Sequence, residues 1–378
     1  MANILDYIKW RGDLDFSSSD FNEIDNLILS QLAYIDFDKI VPDNNKNVVT
    51  LRDAATLFFT AHNEENIVLG SLLPKDIITL LKLAAESIRF GELKLSCYVN
   101  HIDKERQEQF SALTFELNDG LFIAFRGTDD TLVGWKEDFN MCFINPVPSQ
   151  EESVKYLDYV LSLYAKCLGK IRIGGHSKGG NLAVYSATFC LKKFKEKIIA
   201  VYNNDGPGFN ESMIKNPLYQ EILNKVTTFV PQTSVVGMLL EHEEPHIVVY
   251  STAKGLFQHD VFSWQLMGKS FTRTLLSESS RFLDKTLKNW LANMDNSQRM
   301  HFVDVLFEVL SAGEIETLSD FEKNATFKTI QALISMNNED KKFLFQAIRA
   351  FWDIGKNNFK EQIQNKTKNL NFNYFKGY

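Results

Sequence analysis

One stretch in the middle of the chain, Ile171-Arg-Ile-Gly-Gly-His-Ser-Lys-Gly-Gly-Asn-Leu-Ala-Val-Tyr185, restricts the possible folds more than any other. The apolar, β-branched run Ile171-Arg-Ile173 has strand character, and Gly169 separates it from the helical segment before it. Leu182, Ala183, Ser186, Ala187 and Cys190 then recur at helical spacing, so a helix begins just after Ser177. Strand, glycine-flanked serine and helix follow one another with no room for a loop. Gly175-His-Ser177-Lys-Gly179 therefore fits G-x-S-x-G, the turn that lifts a serine hydroxyl above the edge of a sheet.

The elements on either side set the context. Residues 20–34 predict a helix with Asp20 as N-cap and Phe21, Ile24, Leu27, Ile28 and Leu32 on its apolar face. A second helix is expected from about Pro74 to Phe90. The period then changes to strands over Leu93 to Asn100, Phe110 to Leu117 and Leu121 to Phe125. A helix over Ser149 to Cys167 precedes the serine turn, and strands are expected at Ile198 to Tyr202, Val226 to Val230 and Ile247 to Ser251. Strands alternating with helices imply a mostly parallel sheet covered on both faces.

Beyond about residue 270 the pattern is helical only. Phe282, Leu283, Leu287, Trp290, Leu291 and Met294 share one face. Phe302, Val303, Leu306, Phe307 and Leu310 share another, stopped near Gly313. A last helix is expected over Asp340 to Ile354 with Phe343, Leu344, Ile348, Phe351 and Trp352 inward. A chain of 378 residues thus divides into a sheet domain, 1–270, and a helical C-terminal segment, 271–378.

Composition narrows the function classes. With 44% hydrophobic and 24% charged residues a core can form without disulfide staples. The formal charge of −7 gives no net attraction to nucleic acid or an anionic membrane, so no nucleic-acid partner is expected. Cys97, Cys142, Cys167 and Cys190 show no C-x-x-C spacing and sit in apolar segments, so they read as buried thiols of a reducing compartment. The start, Met-Ala-Asn-Ile-Leu-Asp-Tyr, lacks the pattern of a signal peptide, and no apolar run is long enough to span a membrane. The expectation is a cytoplasmic protein without a transmembrane segment.

A serine hydroxyl needs a base, a group that orients the base, and donors for a developing oxyanion. On a sheet of this type the order along the chain is serine, acid, histidine. His242, His246, His259 and His301 follow Ser177. Among these, His259 lies in a glycine-containing loop just after the last strand, at the sheet edge where catalytic groups emerge. His246 begins that strand, at the wrong end, and His301 heads a distant helix. For His176 the reading is a shaping role at the turn. Asp205, in the turn-rich Asn203-Asn-Asp-Gly-Pro-Gly208 directly after a strand, is the candidate acid. Glu243 and Glu244 are alternatives in a charged run that reads as solvated. For the oxyanion, the N–H of Lys178 follows the serine, and Phe125-Arg-Gly-Thr128 places the N–H of Thr128 after an earlier strand.

Phe125-Arg-Gly-Thr128 with Trp135 and Asp138, then Gly-His-Ser-Lys-Gly-Gly180, resemble the class 3 triacylglycerol lipases. A longer resemblance, over the first 270 residues, is to a bacterial domain-of-unknown-function family of lipase-like hydrolases. It rests on Tyr7-Ile-Lys-Trp10-Arg-Gly12, Phe21-Asn-Glu23, Asp25, Asn204-Asp-Gly-Pro-Gly-Phe209, Pro231 with Ser234-Val-Val-Gly-Met-Leu239, and Gln258-His-Asp260 with Trp264. The resemblance implies an α/β-hydrolase fold, with a mostly parallel central sheet flanked by helices and followed here by the helical segment. It also implies that the residue after Arg-Gly, Thr128, serves an oxyanion hole. Two departures stand out: Ser234 occupies the place where the lipase loop carries its aspartate, and Lys178 replaces a small apolar residue.

The expected activity is hydrolysis of carboxylic or lipid esters by Ser177, His259 and Asp205, with no metal or other cofactor. A second reading, from another class, is a catalytically weak or inactive hydrolase-fold protein that acts as an interaction module through its helical segment. The sequence specifies neither the acyl length, the head group, a lid, nor the oligomeric state.

Overall fold

Residues 2–62, 74–129, 131–311 and 333–374 are described by a computed structural model. Eight strands form one sheet in chain order: β1 (Val49–Thr50), β2 (Lys94–Asp103), β3 (Glu108–Leu117), β4 (Gly120–Phe125), β5 (Lys170–His176), β6 (Ile198–Asn204), β7 (Val226–Pro231) and β8 (His246–Val249). Pairing is antiparallel from β1 through β4, with hairpins joining β2 to β3 and β3 to β4, and parallel from β4 through β8, with helices crossing over between β4 and β7 and a loop with one 3-10 turn joining β7 to β8.

Side-chain alternation along the central strands divides the core in two. On β4, Leu121, Ile123 and Phe125 enter one cluster while Phe122 and Ala124 enter the other. The second cluster is closed by α1 (Ile4–Arg11), α2 (Glu23–Leu32), α3 (Leu51–Ala61) and α4 (Asp76–Glu86). Across the sheet, α5 (Leu132–Asn140) is followed by α6 (Pro148–Leu163), α7 (Lys178–Phe189) and the short α8 (Lys192–Lys195), α9 (Glu211–Ile214) and α10 (Pro217–Ile222). Of these, α6 to α10 cover the first cluster.

A two-stranded hairpin, β9 (Leu266–Met267) and β10 (Ser270–Phe271), leads into α11 (Glu278–Ala292), α12 (Asn296–Ser311) and α13 (Asn338–Tyr374). These helices do not stand apart. Phe302, Val303, Val305 and Phe307 of α12 and Leu344 and Ala347 of α13 form a third cluster that takes in Leu132 and Trp135 of α5. Burying one such side chain contributes about 1.5–3 kcal/mol. A chain ending near residue 270 is therefore expected to aggregate or to unfold at lower temperature, checked by size-exclusion chromatography and thermal unfolding. A soluble, monomeric product of unchanged stability would show that the two parts are independent.

Several boundaries differ from the sequence expectations. The first long helix starts at Glu23, with Asn22 rather than Asp20 as N-cap, because Asn22 Oδ1 accepts from Ile24 and Asp25 N–H while Asp25 caps Asn22 in return. The helix expected over 74–90 covers Asp76–Glu86, the one expected over 149–167 covers Pro148–Leu163, and the last helix begins at Asn338 and runs on to Tyr374. Its expected inward face is only partly right. Leu344 is buried, but Ile348 and Trp352 are 40% and 64% exposed, since α13 carries a wider apolar band than its contact with α11 and α12 covers. The stop at Gly313 lies outside the described residues. Among the cysteines, Cys97 and Cys190 are buried, but Cys142 is half-buried and Cys167 exposed. Among the described residues, no helix is long and apolar enough to cross a membrane.

Candidate active site

The parallel half of the sheet ends in a row of loops, and the sequence candidates lie on them. Ser177 sits between β5 and α7 with φ 57° and ψ −134°, a left-handed conformation that a non-glycine residue rarely adopts. Such strain is retained where surrounding structure over-determines it. Here its N–H donates to Asn204 O (3.0 Å), tying the turn to the end of β6. A Cβ on Gly175 or Gly179 would overlap main chain, of Gly179 in the first case and of Phe125 in the second. The two glycines of the motif are therefore steric necessities of strand–helix packing.

Asp205, the residue after β6, is also left-handed (φ 54°) and fully buried. Its Oδ2 lies 2.7 Å from His259 Nδ1. Its Oδ1 accepts hydrogen bonds from Ser234 Oγ (2.5 Å) and Gly237 N–H (3.2 Å). The serine in place of the lipase-loop aspartate thus holds a carboxylate that arrives from the neighbouring strand. Sequence reasoning noted Ser234 as a departure but did not foresee that contact.

His259 ends a 3-10 turn, Gly255–His259, after β8. Gln258 anchors the turn: its Oε1 accepts from Thr233 N–H (2.7 Å), its Nε2 donates to Ala253 O (2.9 Å), and its carbonyl accepts from Trp264 Nε1 (2.8 Å). The His176 and His259 rings lie 4.5 Å apart between centroids. Burial first, and the neighbouring His259 second, hold His176 well below 6.5, so it is neutral. His176 Nε2 is 3.0 Å from His259 O, an acceptor only, and is therefore protonated; Nδ1 then accepts from Tyr34 OH (3.1 Å). A neutral ring here adds no positive charge beside His259. Among the described residues, no hydrogen bond joins Ser177 Oγ to the His259 ring, but both residues line one cavity of about 570 Å³.

Thr128 and Lys178 line the same cavity. Lys178 opens α7, and the amides of a first helical turn have no intrahelical acceptor. Its side chain turns inward: Nζ contacts Glu137 Oε2 (2.9 Å), Gln109 O (2.8 Å) and Gln109 Oε1 (2.9 Å). Both members of this ion pair are buried, and removing one partner of such a pair typically costs about 3–5 kcal/mol.

Thr128 Oγ1 donates to Asp138 Oδ2 (2.5 Å). Asp138 Oδ1 and Trp135 Nε1 are buried without a hydrogen-bond partner among the described residues. Burial raises the Asp138 carboxyl to about 6, against the opposing pull of Lys178 and the Thr128 hydroxyl. For an acid raised in the fold above its unfolded value of 3.8, stability is highest below 3.8 and falls as pH rises through about 6. The full change corresponds to about 3 kcal/mol. Asp138→Asn is expected to remove this loss, so denaturant unfolding at pH 4 and pH 7 should show the variant gaining on the parent at the higher pH. An equal difference at both values would refute the assignment.

The remaining candidates fall elsewhere. Glu243 is exposed and bonded to Gln220 Nε2 (2.7 Å). Glu244 is not solvated as expected: it is buried, and it bonds Tyr219 OH (2.8 Å), His242 Nδ1 (3.1 Å) and the Thr228 hydroxyl. Burial raises its pKa, but those bonds, His242 foremost, outweigh it and hold the carboxyl at about 2. Neither glutamate reaches His259. His301 lies within α12 and pairs with Asp340 (2.8 Å).

A sheet parallel from β4 to β8, helices on both faces, and a left-handed serine between a central strand and its helix define an α/β-hydrolase fold. The chain belongs to the Mbeg1-like family, whose model matches residues 84–308. No curated protein matches it. Similar solved structures include a fungal lipase in complex with an inhibitor, 14% identical, covering 60% of this chain and 77% of that one at a TM-score of 0.37. The M37 lipase is 16% identical over 56% of this chain and 67% of that one, at 0.33. The Lip2 lipase from Yarrowia lipolytica is 11% identical over 51% and 76%, also at 0.33.

Proposed function

We propose that the protein is a serine hydrolase of carboxylic or lipid esters, working through an acyl-enzyme on Ser177. Ser177 Oγ attacks the acyl carbonyl carbon and its proton passes to His259 Nε2. Asp205 keeps the imidazole in the Nδ1–H form and stabilises the imidazolium. The Thr128 and Lys178 N–H groups hold the oxyanion, a contribution of about 3 kcal/mol for each such donor. The alcohol then leaves with the proton from His259, and water repeats the sequence on the acyl-enzyme. In the same proposal, residues 1–270 are the hydrolase domain and 271–378 its helical extension.

The observation that carries this reading is the buried Asp205 carboxylate 2.7 Å from His259 Nδ1, which directs the other ring nitrogen away from the acid. It is tested by treating the full chain with a fluorophosphonate and locating the adduct by peptide mass. A single adduct on Ser177 is expected; an unlabelled protein would overturn the proposal. The interaction-module reading draws on one feature, the outward stripe of Phe345, Ile348 and Trp352 on α13. That reading gains if the chain stays unlabelled.

A further inference from the structure

The cavity at Ser177 is walled on one side by helices that the sheet domain does not supply. Leu287, Trp290 and Leu291 of α11 and Met294 in the turn just after it line the cavity, together with Phe302 and Val303 of α12. The three α11 positions are spaced i, i+3, i+4 and so share one face of the helix, and Met294 extends that wall past its C-terminal end. All four residues are only half-buried because they border open volume. Val236, Leu239 and Leu240, in the loop after β7, line the same space.

The wall is held in place. Trp290 Nε1 donates to Ala347 O of α13 (2.9 Å), and its ring packs edge-on against Phe302 at 5.2 Å. Arg299 of α12 donates to Leu291 O at the end of α11 through Nε (3.0 Å) and Nη2 (2.6 Å). Its guanidinium is thus occupied with main chain. Thr128, Ser177 and His259 lie on the same cavity. A volume of about 570 Å³ is that of a site that encloses a sizeable ligand, and far more than an acetyl group fills. The wall formed by α11 and Met294 presents only apolar carbon and sulfur apart from the Trp290 N–H, which is already bonded, so the matching ligand is a hydrocarbon tail.

We infer that α11 and α12 form the wall of an acyl-chain site, so that the ester cleaved at Ser177 bears a long aliphatic acyl group and the C-terminal helices set the length accepted. The ester bond in this inference rests on the serine-hydrolase reading; the chain site itself is open to a binding test.

Dodecanoate binding to the full-length Ser177→Ala chain is measured by titration calorimetry, alone and combined with Leu287→Trp or Met294→Trp. Each tryptophan fills space that several methylenes would occupy, and each methylene contributes about fourfold in affinity. Each substitution is expected to weaken binding at least tenfold. In chains that keep Ser177, the ratio of kcat/KM for p-nitrophenyl dodecanoate to that for the acetate should fall by a similar factor. Thermal unfolding checks that the variants are folded; if both tryptophan variants are not, Leu287→Ala, which widens the site, is expected to shift preference toward hexadecanoate. No dodecanoate binding by Ser177→Ala, or binding and chain preference unchanged in the folded variants, overturns the inference. Intact, tryptophan-sensitive binding in a chain that no fluorophosphonate labels instead keeps the site and overturns the hydrolase reading.

Discussion

Ser177→Ala is expected to lower ester turnover by about six orders of magnitude, the scale on which removing a catalytic serine acts in serine hydrolases. Stability should change little. The left-handed backbone strain at position 177 is the same for alanine as for serine, and the turn is held by a main-chain bond to Asn204 O that the substitution leaves intact. Assays on p-nitrophenyl esters, with thermal unfolding alongside, separate the two effects. Turnover within tenfold of the parent in a folded variant would remove Ser177 from the mechanism.

Asp205→Asn should cost about four orders of magnitude in turnover. The reason lies in the proton, not the shape. If the side-chain oxygen of asparagine keeps the bonds from Ser234 Oγ and Gly237 N–H, its NH₂ faces His259 Nδ1 and forces that nitrogen to accept. The proton then resides on Nε2, and the ring can no longer take one from the serine. Glu244→Gln is the informative contrast, because Glu244 is bonded to Thr228, Tyr219 and His242 rather than to His259. A carboxyl held at about 2 in the fold contributes stability above its ordinary value of 4.5, lost as pH falls from there toward 2. That variant should therefore lose stability at neutral pH and keep turnover. Equal turnover losses in the two variants would mean that the acid had been misassigned.

The parts legible in the sequence are those dictated by local physics. A strand, two glycines around a serine and a helix leave one backbone path, so the position and handedness of the turn at Ser177 follow from a few consecutive residues. Strand periodicity placed the ends of β6 and β8 to within two residues, and with them the loops of Asp205 and His259, whose side chains the fold brings to 2.7 Å. The acidic run at 243–244 misled for the same reason: local composition reports charge but not the Thr228 and Tyr219 hydroxyls that make burial of Glu244 tolerable.

The sequence by itself thus determined a mostly parallel sheet with helices on both faces, the serine turn and the loops that carry the other candidates. Only the tertiary structure decided what surrounds them: that Ser234 supports Asp205 from 29 positions away, that Asp138 fixes Thr128, and that α11 and α12 wall the cavity. A helix's apolar stripe states that something must cover it. Which surface does so depends on the packing of elements distant along the chain, where hydrophobic contact is non-directional and only shape and volume choose the partner.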